Sequence, residues 1–102
     1  MPERLPISTG TLAVATADTG VCRVGEPAVC VEVYELSGRP GYSFLFQGGG
    51  FDGFSPDDVA RFLDVQPGRD DEAAAYEFTT SLALHRDYKR GRFQTALGPP
   101  VL

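Results

Sequence analysis

Two apolar runs separated by five turn-forming residues constrain this chain more than any other feature. Ala28 to Leu36 alternates, with Val29, Val31 and Val33 on one face and Cys30, Glu32 and Tyr34 on the other. Tyr42-Ser43-Phe44-Leu45-Phe46 alternates again, and its three aromatics share a face that suits a half-buried pleated surface. Between the runs, Ser37-Gly38-Arg39-Pro40-Gly41 is of hairpin length. The pattern predicts an antiparallel strand pair.

Shorter signals flank the pair. Gly10 to Thr16 alternates in part and reads as a strand, closed by the turn signal Asp18-Thr19-Gly20. Val21-Cys22-Arg23-Val24 reads as a second short strand, broken by Gly25-Glu26-Pro27. Pro27 cannot donate to a ladder and is placed in the connection. After the aromatic strand come three consecutive glycines, Gly48 to Gly50, and then Asp52-Gly53; both are turn chemistry.

The clearest helix start is Ser55-Pro56-Asp57-Asp58. Ser55 is an N-cap, Pro56 fits the first helical position, and Asp58 completes a capping box with Asp in place of the usual Glu. Phe54 and Val59 can staple across it, and Val59, Phe62 and Leu63 follow at helical spacing. A helix is expected over 56–64, closed by Pro67-Gly68. Residues 70–78 carry mixed signals, and a last strand is placed near 74–78. Thr79 or Thr80 then caps a helix running to about Arg90, with Leu84, Tyr88 and Ser81 clustered and His85 and Leu82 on the flank. Gly91 is its natural stop.

At 102 residues, the chain is one domain's worth. Its hydrophobic content of 42% and eleven aromatics exclude intrinsic disorder. No apolar run approaches the ~18 residues of a membrane helix, and Met1 to Gly10 holds no apolar core of a signal peptide. A cytosolic protein is expected, with one domain over 1–98 and a mobile tail at 99–102. The fold class is α+β: a small bent antiparallel sheet or partial β-barrel of four to five strands, with short helices near 56–64 and 80–90.

Order and punctuation suggest a family. Gly20, then Gly25-Glu26-Pro27-Ala28-Val29-Cys30-Val31-Glu32-Val33, then Tyr42-Ser43-Phe44-Leu45-Phe46 and a glycine-rich turn, resembles the small Src-homology-3-like β-barrels of the KOW type. The likeness covers roughly residues 10–64. It implies a barrel that binds nucleic acid, other proteins or ribosomal partners.

Charge bears on that choice. Residues 1–78 carry thirteen acids and five bases, whereas 79–102 carry Asp87 against Arg86, Lys89, Arg90 and Arg92. An acidic body repels phosphate backbones, so nucleic-acid binding is disfavoured. The four cations suit the end of a helix, where they complement its dipole.

No catalytic set stands out. With Gly25-Glu26-Pro27 as a three-residue loop, Cys22 and Cys30 would face each other across a hairpin. Free, partly buried thiols are expected there, ahead of a disulfide or a metal site. Zinc would need more ligands than two cysteines and His85 supply. His85 is the sole histidine and is expected at the edge of the core. Asp57 and Asp58 are explained as helix-start residues, and the glycine triplet lacks the following helix and lysine of a phosphate loop. No metal and no cofactor are expected.

Six aromatics fall between Tyr34 and Phe54, most of them needed for the core. Those beside loops suggest a partner surface of Arg39, Tyr42, Phe51 and Asp52. The favoured function is therefore a non-enzymatic binding or regulatory protein docking on another macromolecule, a protein partner or a second copy of itself. One alternative is a nucleic-acid-binding barrel using Arg86, Lys89, Arg90 and Arg92 on phosphates. The other is a small enzyme or ligand carrier.

Overall fold

The expected strand pair forms the spine of the sheet. In the computed structural model, which describes residues 7–66, 76 and 79–98, β2 (Pro27–Leu36) pairs antiparallel with β3 (Arg39–Phe46). The connection is tighter than five residues. Ser37 and Gly38 alone make the turn, both with positive φ (53° and 79°), the backbone that matches the twist of a two-residue hairpin. A register shift lies between Cys30 and Glu32, so two residues of β2 oppose one step of β3. The shift breaks the alternation expected for β2: Val33 pairs with Tyr42 rather than sharing a face with Val29 and Val31.

Three more strands complete an antiparallel sheet of order β4-β3-β2-β1-β5. β1 (Leu12–Ala15) lies between β2 and β5 (Leu63–Gln66), and β4 (Phe51–Phe54) continues the meander after β3. Three sequence expectations fail here. Residues 21–24 form no strand, and Cys22 does not face Cys30 across a hairpin, because β1 itself occupies the edge of β2 from Pro27 to Val29. Residues 51–54, whose Asp-Gly pair signals a turn, are an edge strand. Gly53 is needed there, since a Cβ would run into the hydroxyl of Tyr34, whose ring also lies over Gly41.

α1 (Pro56–Phe62) starts as expected. The Ser55 hydroxyl accepts from the Asp58 amide and the Asp58 carboxylate accepts from the Ser55 amide. It stops two residues early, because Leu63 turns extended and opens β5. α2 (Ser81–Lys89) is capped by Thr80, and Gly91 follows with φ +95°. A single turn, α3 (Gln94–Leu97), follows and buries Leu97. The strand expected near 74–78, apart from Tyr76, and residues 99–102 lie outside the described residues.

Each face of the sheet carries its own core. Ala13, Ala15, Ala28, Cys30, Phe44 and Phe46 point to one side, where Phe54, Val59, Leu63 and the loop residue Cys22 close over them. Leu12, Val29, Val31 and Leu45 point to the other, against Leu84 and Tyr88 of α2 and against Phe93 and Leu97. The result is a compact α+β domain with a radius of gyration of 12.5 Å. No helix among the described residues is long and apolar enough to cross a membrane.

Candidate functional site

Residues 16–26 join β1 to β2 and are held in shape by their own side chains. Asp18 Oδ1 accepts the Val24 amide at 2.9 Å, and Thr19 Oγ1 accepts those of Val21 and Cys22 at 3.1 and 3.2 Å. Glu26 bridges outward. One carboxylate oxygen accepts the Arg23 amide at 3.0 Å and the other accepts the Gly48 amide at 2.6 Å. The loop is thereby stapled to the glycine turn between β3 and β4. Gly50 sits directly against the Val21 carbonyl, leaving no room for a side chain.

α2 reaches the same turn from the other side. His85 Nε2 lies 3.0 Å from the Gly49 carbonyl oxygen, its ring edge-on to Phe51, and the Tyr88 hydroxyl donates to the Gln47 carbonyl. The turn expected at Gly48–Gly50 is present, and it serves as the junction of three segments.

The β1–β2 loop stands between two depressions. A groove of about 900 Å³ is lined jointly by the loop and the glycine turn, with Val24, Arg23, Glu26 and Gln47 among its walls. A slot of about 220 Å³ lies on its other side, between Thr19–Val21 and the start of α1, lined by Asp52, Phe54, Asp58 and Phe62. Val24 is 63% exposed, although apolar.

The residues singled out from sequence do not form one patch. Tyr42 is 2% exposed and belongs to the core, because the two-residue hairpin turn sets it well inside β3; its expected place on a docking surface is corrected. Phe51 is half-buried and packs toward α2 and His85. Arg39 is exposed at the far end of the β2–β3 hairpin, five residues and so ~17 Å along β3 from Phe44, the partner of Asp52. Asp52 is exposed and lines the slot. Sequence missed the contribution of Val21, Val24 and the β1–β2 loop. The Asp18-Thr19 pair was the available signal, since both side chains bond their own backbone a few residues on.

Arg86, Lys89, Arg90 and Arg92 are all exposed around the C-terminal end of α2. Arg86 lies 3.5 Å from Asp87, and the Arg92 guanidinium stacks 5.2 Å from the centroid of Tyr76. Cys22 and Cys30 are buried free thiols. Cys22 Sγ lies 3.2 Å from the Thr19 hydroxyl, and Cys30 donates to the Glu32 carbonyl at 3.4 Å. Burial pushes the Cys30 thiol up to about 12, so it carries no thiolate near neutral pH. The partner of the His85 ring nitrogen Nε2 is the backbone carbonyl of Gly49, and its ring packs against Phe51. Among the described residues, no group of three or more His, Cys, Asp or Glu side chains is placed to hold a metal ion.

Comparison with known proteins adds no relative: no family model, no curated protein and no solved structure matches the chain.

Proposed function

We propose that this protein is a non-enzymatic docking module that engages a protein partner with the surface around residues 16–26. One observation carries the proposal: an exposed apolar residue, Val24, stands on a loop fixed by its own hydrogen bonds, with a depression on either side. A preformed surface loses little conformational entropy on binding, which is how a small interface reaches useful affinity. The strand order supports a Src-homology-3-like barrel as the architecture. Five antiparallel strands, with β2, β3 and β4 forming a meander and a helix before the last strand, are compatible with the resemblance carried by residues 10–64. Docking is a common use of that scaffold, by analogy of fold alone.

A photo-crosslinking residue at position 24 tests the proposal, with a second at position 82 as control. Leu82 is 80% exposed on α2, away from the loop. In native extract, a discrete protein adduct at position 24 that survives nuclease and moderate salt, with none at position 82, supports docking. Equal adducts at both positions, or an adduct removed by nuclease, overturns it.

A further inference from the structure

Resting on docking at this surface, we infer that the slot beside the loop seats a cationic side chain, arginine or lysine, from an extended partner segment. The floor of the slot is apolar: Phe54 is buried, and Val21 and Phe62 are half-buried. Its rim is anionic, and the two carboxylates come from different elements, Asp52 from β4 and Asp58 from α1. Each spends one oxygen on a local backbone amide: Asp52 Oδ1 on Gly53 at 2.8 Å, Asp58 Oδ2 on Ser55 at 3.3 Å. The second oxygen of each has no described partner. None of the residues lining the slot carries a positive charge. The adjoining cation, Arg61, lies 5.9 Å over the ring of Phe62 and does not line it.

An apolar floor with a negative rim matches one kind of protein side chain. Arginine and lysine lay an alkyl stem on apolar surface while the charged head stays at the edge. A carboxylate would meet like charge at the rim, and an aliphatic side chain would leave both acids uncompensated. The walls are preorganised, since the Thr19 hydroxyl accepts from the Val21 and Cys22 amides and Asp58 is held by the capping box. The charge of the body as a whole, negative over residues 1–78, steers the same class of partner toward the slot.

The test uses the full chain, isotope-labelled, and three capped pentapeptides of valine and alanine that differ at the centre: arginine, citrulline or glutamate. Amide shifts are followed by NMR at moderate salt. The expected result is saturable shifts at residues 19–21, 52–54 and 58–62 with the arginine peptide. Citrulline, of the same shape without charge, binds roughly tenfold more weakly, and glutamate does not bind. The double variant Asp52→Asn, Asp58→Asn keeps a side-chain oxygen to accept the Gly53 and Ser55 amides and keeps the fold, checked by its amide spectrum, and loses the preference for arginine. Equal binding of arginine and citrulline peptides overturns the cationic assignment while leaving docking intact. So does an arginine preference that persists in the double variant. Shifts confined to sites away from residues 16–26 and 52–62, with no crosslink at position 24, overturn both.

Discussion

Gly50→Ala isolates the contact that fastens the loop to the glycine turn. A Cβ at this position would meet the Val21 carbonyl oxygen well inside 3 Å and its carbon at 3.0 Å. Both atoms are backbone, so no flexible side-chain end can swing away. The loop must retreat, and its retreat strains the Glu26 bond to the Gly48 amide. Overpacking of this kind costs ~1–3 kcal/mol, and a weakened charge-assisted hydrogen bond adds about 1 kcal/mol. Unfolding entropy scales with length, so a loss of ~3 kcal/mol lowers Tm by ~14 °C for a chain of this size. Gly20→Ala is the matched control: its Cβ would meet nothing within 4 Å, and its φ lies outside the left-handed region. It should hold Tm or raise it slightly by narrowing the unfolded ensemble. Thermal unfolding followed by circular dichroism reads both. A Gly50→Ala protein as stable as wild type, or a Gly20→Ala protein destabilised equally, refutes the contact as the cause.

Other perturbations give distinct readouts. Tyr88→Phe removes the hydroxyl that donates to the Gln47 carbonyl; the urea midpoint should fall by the equivalent of ~1–2 kcal/mol with the m-value unchanged. Ser55→Ala removes half of the α1 capping box and should cost about 1 kcal/mol in the same assay. Burial pushes the pKa of the Cys30 thiol from its ordinary 9.0 up to about 12, so the folded chain holds its proton longer. Its contribution to stability is complete below pH 9.0 and is lost as pH rises toward 12. Tyr34 and Tyr76, both raised chiefly by burial, slope the same way at high pH. Cys30→Ala should flatten the stability profile above pH 9.0 relative to wild type, and an unchanged profile would exclude the thiol as its source.

What could be anticipated from sequence was local. The capping box, the paired runs of β2 and β3 and the glycine stop of α2 all depend on residues within a few positions of one another. β4 and β5 were missed because four-residue strands gain their identity from distant partners: Phe54 from Tyr42, and Leu63 from Ala15. Val21–Val24 misled for the converse reason, since its apolar content supports a loop that packs on the core through Cys22. Tyr42 was assigned to the surface on a loop length of five; with a turn of two it moves inside. The slot draws on residues 19–21, 52–54, 58 and 62, and nothing local links those stretches.

The glycine turn also has a consequence for time. Its fastenings come from far along the chain: Glu26 is 22 residues from Gly48, His85 is 36 from Gly49, and Tyr88 is 41 from Gln47. A hairpin turn closes in microseconds, whereas contacts across such spans must wait for the chain between them to be ordered. The turn therefore forms early and is locked late. Interactions completed after the folding barrier act on escape from the native state, so substitutions that loosen these fastenings are expected to speed unfolding more than they slow folding.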